Sequence, residues 1–288
     1  MLVRTEPVSA ASAPDRYERR ARAALHFSVG GGRTILAHQH VPYPFHVTRP
    51  FYLDRQGPDL ATLYLQSASG GLYRGDRLLI DVDVAAGAAA HVTTQAATVV
   101  HDTRAHAAAQ STRLRVGEGA FVAVTPDPLV LFPGAAIESA VDVTLARGAC
   151  AILADGFACH DPAGERRPFA RAALATIVRD ETGRVLVSDR GAIEGSHFLG
   201  AASPAGSHVA VGTLLALGSG AERVAATELE RQLDTLRCVV GVTRTPHELG
   251  VAVRMLAPDG GTLARGLDLA FAVAFEALLG FPPARRRK

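Results

Sequence analysis

The middle of the chain alternates hydrophobic and polar residues, a pattern that predicts β-strands. In IDVDV, residues 80–84, isoleucine and valine alternate with two aspartates, as expected for a strand with one buried and one exposed face. Further strands are predicted up to about residue 220, in stretches such as RAALATIVRD and VLVSDRGAI, which flank the turn ETGR. The chain is therefore predicted to be mainly β.

One layout occurs three times in this region: an alternating strand, a short turn ending in Gly-Ala, and a second apolar strand. The copies span residues 81–94, 113–126 and 141–155. The turn glycines are 32 and 29 residues apart: Gly87, Gly119 and Gly148. Repeated units that each need a neighbour to bury an apolar face favour a helical, solenoid-like β-sandwich. A plain antiparallel sandwich would produce a similar pattern and is the alternative.

The hydrophobic pattern changes after residue 220. RVAATELERQLDTLR has apolar residues at helical spacing, and LARGLDLAFAVAFEALL predicts a second helix that ends at Gly280, before Pro282. Two short predicted strands lie between these helices. The predicted organisation is a flexible leader at 1–22, a coiled β-sandwich at 23–220, and a small α/β element of about two helices, docked on the sandwich, at 221–288. Its basic tail ARRRK, residues 284–288, is expected to lie in solvent.

Composition and charge argue against several classes of protein. Thirty lysines and arginines against 28 acidic residues leave a net charge of +2, without the concentrated basic stripe of a nucleic-acid-binding protein. No apolar segment has the length of a membrane span, and the N-terminus shows no secretory h-region. The three cysteines form no C-x-x-C pair, so a disulfide framework or a closed zinc site is not expected. We therefore predict a cytoplasmic protein with no nucleic-acid or membrane partner.

The stretch SASGGLYRGDRLLIDVDV, residues 67–84, has the glycine content of a phosphate loop, a metal site or a tight turn. Gly70 and Gly75 match the first half of a phosphate loop, but Asp76 and Arg77 stand where lysine and serine or threonine are required. An acidic residue would repel phosphate, and the loop leads into a strand rather than a helix. Nucleotide binding is therefore not expected. Asp76 is either a turn residue that accepts backbone hydrogen bonds or a metal ligand.

Catalytic motifs are not evident in the chain. No nucleophile elbow is found, and HELGV lacks the second histidine of the metalloprotease motif H-E-x-x-H. We therefore predict that the protein is not an enzyme. A hydrolase is the rival interpretation, and it predicts an acid/base pair in a closed pocket rather than an open channel.

Several motifs resemble those of the UreD (UreH) family of urease accessory proteins. In chain order they are RPFY (49–52), YL (64–65), GGLYRGD (70–76), an alternating strand, a Gly-Ala turn and TTQAAT (93–98). LFPGA (131–135), VGTLLA (211–216) and the C-terminal helix match as well, so the resemblance extends over most of the chain from about residue 25. It implies a helical β-sandwich with few helices, in agreement with the repeats.

The resemblance implies a role in urease maturation rather than catalysis. Proteins of this family bind urease apoprotein and UreF, which recruits the nickel-carrying GTPase UreG, and they are proposed to conduct nickel to the urease active site. Nickel would then be transient cargo and not a tight cofactor, because a closed thiolate site would retain it. The alternative is a β scaffold or adaptor that binds only proteins and never contacts the metal.

The resemblance also points to polar positions that would line such a nickel path. They are Asp76, Thr98, Asp155 and Asp189. Weaker metal candidates are His101, Cys159 and His160. The structural turn of the family motif is expected from Gly70, Gly71 and Gly75. Asp155 ends the third repeat as Thr94 ends the first, and stacked repeats would bring such positions to one edge or lumen.

Overall fold

The computed structural model describes residues 18–57, 59–104 and 106–286. Within these residues the chain forms seventeen strands, three α-helices and three short 3-10 helices. The strands are β1 (Arg20–Gly30), β2 (Arg33–His40), β3 (Phe45–Val47), β4 (Ala61–Ser67), β5 (Arg77–Val84), β6 (Ala89–Thr93), β7 (Val99–Val100), β8 (Ala108–Val116), β9 (Phe121–Thr125), β10 (Leu129–Leu131), β11 (Ala136–Leu145), β12 (Cys150–Cys159), β13 (Arg171–Asp180), β14 (Val185–Glu194), β15 (Ala210–Gly218), β16 (Val239–Arg244) and β17 (Gly250–Ala257). The helices are α1 (Gly195–Phe198), α2 (Ala226–Leu233) and α3 (Gly260–Leu279).

The strands form two sheets. The first has the order β14-β13-β11-β8-β5-β1-β2, and the second has the order β16-β17-β15-β12-β9-β6-β4-β3, with β10 paired to β12 and β7 paired to β10. Strands β5, β8 and β11 are parallel neighbours in the first sheet, as are β6, β9 and β12 in the second. In each predicted repeat the chain therefore crosses from the first sheet to the second. The mainly β, solenoid-like sandwich is confirmed, and a plain antiparallel sandwich is wrong.

The turns that join the two sheets stack on one another. Gly87, Gly119 and Gly148 have φ angles of 68°, 62° and 71°, a left-handed conformation that glycine adopts without steric cost. The amide of Gly87 donates to the carbonyl of Glu118 at 2.9 Å, and the amide of Gly119 donates to the carbonyl of Arg147 at 3.1 Å. The shared Gly-Ala turn thus reverses the chain and holds successive coils in register.

Two hydrophobic cores result from this arrangement. The inward faces of both sheets form the first core, which includes Ile80, Leu114 and Phe157. Helices α2 and α3 cover the other face of the second sheet, where Phe121 packs against Phe275 with ring centroids 5.7 Å apart. The second sheet is thus covered on both faces, whereas the outward residues of the first sheet are largely open to solvent.

The C-terminal element has the predicted order of helix, strand, strand and helix. Helix α3 begins after Asp259, whose Oδ1 accepts a hydrogen bond from the amide of Thr262 at 2.7 Å, and it ends at Gly280, which has a φ angle of 82°. Helix α3 packs on β12, β15 and β17 of the second sheet. Among the described residues, no helix combines the length and the apolar character needed to cross a membrane.

The chain ends differ in part from the expectation. Most of the predicted leader lies outside the described residues, and β1 already begins at Arg20, which pairs with Arg77 of β5. At the other end, the Arg286 side chain is only 11% exposed and forms an ion pair with Asp268 at 2.7 Å. The prediction of a solvated basic tail is wrong for Arg286, because α3 offers this guanidinium both a carboxylate and the ring of Phe271.

Candidate functional site

A cavity of about 90 Å³ lies between the two sheets, inside the coil of repeats. Three inward side chains of β5 form part of its apolar wall: Leu78, Ile80 and Val82. Both sheets also contribute polar groups to its lining, among them Thr93, Thr94, Thr98, Gln110, Thr112 and Asp155. Most of the lining is apolar, so a water molecule or a polar ligand in this cavity would find its partners at these few groups.

Asp155 lies at an interruption in the second sheet. Strand β12 pairs with β9 through residues 150–153 and with β10 through residues 157–159, so residues 154–156 have no strand partner on that side. On its other side β12 pairs continuously with β15, where Asp155 stands opposite Thr213. The backbone of Asp155 is therefore held by a regular strand while space opens beside it.

A second cavity, also of about 90 Å³, adjoins the first at Asp155. It contains Asp189 of β14 and Arg254 of β17, whose guanidinium donates to Asp189 Oδ1 at 2.6 Å. Strand pairing brings the polar residues of this cavity together. In the second sheet, Thr213 stands opposite Asp155 on one side and opposite Arg254 on the other. In the first sheet, Thr176 stands opposite Asp189. Asp155 and Asp189 thus line one interior space from different sheets.

A surface depression of about 650 Å³ adjoins the first cavity at Thr98. Gly70 and Gly71 of the glycine turn form part of its wall. Gly71 has a φ angle of 139°, and a Cβ atom added to it would overlap the carbonyl oxygen of Val99, so this turn requires glycine. Three of the four positions predicted for a nickel path follow one another along these adjoining spaces: Thr98, Asp155 and Asp189.

The surroundings of Asp155 favour the protonated form of its carboxyl group. Burial raises its pKa from 3.8 to about 6; the hydrogen bond from the Gly156 amide, at 2.7 Å, opposes this shift, and the negative charge of Asp189 adds to it. Within the described residues Asp155 has no ion-pair partner, whereas Asp189 is paired with Arg254. A carboxylate with a raised pKa and no ion-pair partner, next to a cavity, is typical of a functional site, because it can exchange a proton for a cation.

We expect Asp155→Asn to stabilise the protein at pH 7. Because the pKa is raised on folding, the folded protein binds the Asp155 proton more tightly than the unfolded chain does. The stability that the protonated Asp155 side chain contributes is therefore lost as the pH rises from about 4 to about 6. The variant should therefore gain roughly 1–3 kcal/mol in the free energy of unfolding at pH 7 and almost nothing at pH 4. Urea unfolding at both pH values measures this difference. An equal gain at both pH values would contradict the prediction.

Asp76 lies outside these three spaces. Its carboxylate is buried in the glycine turn, where it accepts hydrogen bonds from the guanidinium of Arg19 and, at 2.8 Å, from the amide of Tyr73. The turn glycine Gly75, with a φ angle of 73°, directly precedes it. These contacts favour the interpretation of Asp76 as a turn residue, while its role as a nickel ligand stays a prediction.

The weaker metal candidates lie near the surface. His101 and His160 both contact the ring of Phe132, with centroids 5.5 Å and 5.7 Å away, and His101 also stacks on Tyr73. Burial raises the pKa of the Cys159 thiol to about 12, which disfavours the thiolate that a metal requires. In the part of the chain that the structure describes, no three His, Cys, Asp or Glu side chains are already arranged around a common metal position.

The C-terminal tail covers the outer side of the interruption in the second sheet. A small pocket there shares Pro126 and Ala154 with the first cavity and is lined by Arg286. The Arg286 guanidinium donates to Thr93 Oγ1 at 2.6 Å and to Thr125 Oγ1 at 3.3 Å. These contacts hold Arg286 beside β6 and β9, two strands that also line the first cavity.

Sequence reasoning missed three polar residues of the second cavity: Thr176, Thr213 and Arg254. Thr213 lies within VGTLLA, so the family motif contained a signal for it. Thr176 and Arg254 occur in strands whose sequences carry no motif, and only strand pairing reveals that they adjoin the two aspartates.

Comparison with known proteins gives consistent results. The chain matches the family model described as UreD urease accessory protein over residues 19–288. It is 49% identical over 283 residues to the urease accessory protein UreD 1 of Methylorubrum populi, a match that covers 98% of this chain and 96% of the relative. It is 46% identical to UreD 1 of Bradyrhizobium sp. strain BTAi1, with 94% of this chain and 95% of the relative covered. It is 36% identical to UreD 1 of Pseudomonas syringae pv. syringae, with 96% of this chain and 98% of the relative covered.

These relatives carry the name of accessory proteins and not of enzymes. The family match covers the glycine turn, the three repeated arches and the C-terminal helix described above. The identities extend over nearly the whole chain and nearly the whole length of each relative. The protein therefore belongs to the UreD family of urease accessory proteins.

Proposed function

We propose that this protein acts in urease maturation in the cytoplasm by conducting nickel ions through its interior to urease apoprotein. Its partners are urease apoprotein and UreF, and UreG is joined through UreF as the source of nickel. Nickel is cargo and not a resident cofactor, and the protein itself catalyses no reaction. Family membership supports the general role in urease maturation, while the nickel route and the individual partners are the substance of the proposal.

The observation that carries the proposal is a series of adjoining spaces, mostly apolar in lining, along which oxygen-bearing side chains occur from Thr98 past Asp155 to Asp189. Hydroxyl and carboxylate oxygens can replace part of the water shell of a cation as it passes. Oxygen ligands hold Ni²⁺ less firmly than thiolates do, and conduction requires binding that is weak enough for release. A sparse oxygen lining is thus better suited to passage than to storage.

The charges along this series support passage in steps. Asp155 offers a carboxylate without an ion-pair partner among the described residues, so a cation that reaches it is attracted there. Asp189 is already paired with Arg254, whose positive charge repels a further cation, so Asp189 attracts such an ion more weakly. An ion that leaves Asp155 on this side would therefore meet a site that releases it.

The proposal is tested by co-expressing urease and its other accessory proteins with the parent chain, with Asp155→Asn, or without this chain. Asparagine keeps the size of the side chain but removes its charge. We expect Asp155→Asn to lower urease activity and nickel content at least about tenfold, the size of a 1.4 kcal/mol loss of cation stabilisation. Affinity purification of the variant should still recover urease and UreF.

Asp142→Asn is the matched control, because Asp142 is an exposed residue of β11 near Arg179, outside the interior spaces. It should activate urease like the parent chain. Normal nickel loading with Asp155→Asn, combined with failure when the chain is omitted, would instead support an adaptor that never contacts the metal. Normal loading without the chain would overturn the maturation role itself.

A further inference from the structure

Three histidines lie together on the outer face of the first sheet, away from the interior spaces. His38 and His40 are two residues apart in β2, so their side chains share a face. Strands β1 and β2 are antiparallel, and His26 of β1 stands directly opposite His38. The Cβ atoms of such opposite residues are about 4.5–5.5 Å apart, and a diagonal pair such as His26 and His40 is about 7–8 Å apart, still within reach of long side chains. Three imidazoles thus stand within reach of one another on two adjacent strands.

A β-bulge produces this arrangement. The register between β1 and β2 shifts between His26 and Phe27, which leaves one extra residue in β2. Phe27 and its partner Leu36 pack in the first core. Without the extra residue, His38 would share the inward face of Leu36, because side chains two residues apart point to the same side. Bulges commonly redirect side chains next to functional sites, and this one places both histidines of β2 on the face of His26.

The imidazoles of β2 are free to turn toward a shared ion. His38 and His40 are exposed, and neither side chain has a hydrogen bond or ion pair within the described ranges of the chain. Their neighbour across the strand pair, opposite His40, is Ala24, whose small side chain leaves space between the larger groups. The rings are not arranged around a common point as they stand, so binding an ion requires them to rotate, which exposed side chains do within nanoseconds.

Strand β5 adds a carboxylate on the far side of His26. Asp83 pairs with His26 in the β1–β5 register, and its Oδ1 is 3.8 Å from His26 Nδ1. A metal-bound histidine commonly donates its other ring N–H to a carboxylate, which fixes the tautomer and leaves Nε2 for the metal. Asp83 is thus placed to orient His26 with Nε2 toward the other two rings.

A second carboxylate beside this group is incompletely satisfied. Asp81 pairs with Ala24, is buried, and uses one oxygen in an ion pair with Arg22 at 2.5 Å. Its other oxygen, Oδ1, is buried without a hydrogen-bond partner among the described residues. Arg113 and Arg115 stand opposite Asp81 and Asp83 on β8, so the aspartates lie between positive groups and the histidines. An unsatisfied buried oxygen is costly, so Oδ1 is an acceptor without a partner in the neighbourhood of the histidines.

We propose that His26, His38 and His40 form a binding site for a divalent metal ion on the outer face of the first sheet, with Asp83 orienting His26. Imidazole ligands select borderline ions such as Ni²⁺ and Zn²⁺ over hard ions such as Mg²⁺. Three protein ligands leave coordination positions open for water or for a ligand from another molecule. The site does not depend on the proposed delivery role, because metal binding to the chain alone defines it.

Calorimetric titration of the purified full-length chain with Ni²⁺, Zn²⁺ and Mg²⁺ tests this proposal. The parent chain should bind one Ni²⁺ or Zn²⁺ at this site and no Mg²⁺ there, and His38→Ala/His40→Ala should lose that site. Asp83→Asn should weaken binding about 10–100-fold, as expected for a group that orients a ligand. With Co²⁺, the parent should show a visible absorption band that the double variant lacks.

His197→Ala is the matched control, because His197 is an exposed histidine of α1 far along the chain from this group. Unfolding midpoints should agree among all variants, since the replaced histidines of β2 are exposed. Unchanged stoichiometry and affinity in His38→Ala/His40→Ala would overturn the proposal. Equal losses in His197→Ala would do so as well. Failure of the Asp155→Asn test with intact metal binding here would count only against the interior route.

Discussion

Asp76→Ala is expected to lower the free energy of unfolding by roughly 3 kcal/mol, because it removes one partner of a largely buried ion pair. The Arg19 side chain is 22% exposed and would keep its charge without the Asp76 carboxylate. The amide of Tyr73 would lose its acceptor in the same turn. Urea unfolding at pH 7 measures the loss.

A double-mutant cycle with Arg19→Ala separates the ion pair from the turn. The double variant should be more stable than the sum of the two single changes predicts, with a coupling energy of about 1–3 kcal/mol. Glu118→Ala is the control for loss of an exposed pair, since Glu118 is 61% exposed beside Arg147, and its effect should be small. Unchanged stability of Asp76→Ala together with a loss of urease nickel would instead favour Asp76 as a nickel ligand.

Phe157→Ala is expected to cost about 3–5 kcal/mol, the usual range for removing a buried phenylalanine. The Phe157 side chain is fully buried, and its ring centroid is 5.4 Å from that of Phe169 and 5.8 Å from that of Phe198. This cluster supports the half of β12 that follows Asp155. Thermal and urea unfolding should both show the loss, a large share of the about 5–15 kcal/mol that typically stabilises a domain.

Phe51→Ala is the matched control for Phe157→Ala. Phe51 is 44% exposed and contacts Tyr64 edge-on at 5.9 Å, so its removal should leave no closed cavity and cost far less. If both variants lost the same stability, burial of the Phe157 cluster would not be what holds this part of the sandwich together.

The structure puts the four nickel-path candidates in two different settings, and their contact with nickel stays a prediction. Thr98, Asp155 and Asp189, which the family resemblance predicts for a nickel path, line adjoining spaces. Asp76 was predicted with them, but Arg19 occupies its carboxylate, and residue 19 lies 57 positions away in a region read as leader. An ion pair between residues so far apart produces no periodic pattern in the sequence. A single arginine before a strand cannot be distinguished there from any other surface charge.

Local patterns determined the repeated arches of this protein. Alternation of apolar and polar residues and a Gly-Ala turn act within a few residues, so the three strand-turn-strand units and the helix that ends at Gly280 were predictable from sequence. Only the tertiary structure decided which polar residues meet. The interruption beside Asp155, the pairing of Asp189 with Arg254 and the grouping of His26 with His38 depend on strand register. Register is set by packing between distant segments, and a shift of one residue reverses the face of every side chain that follows.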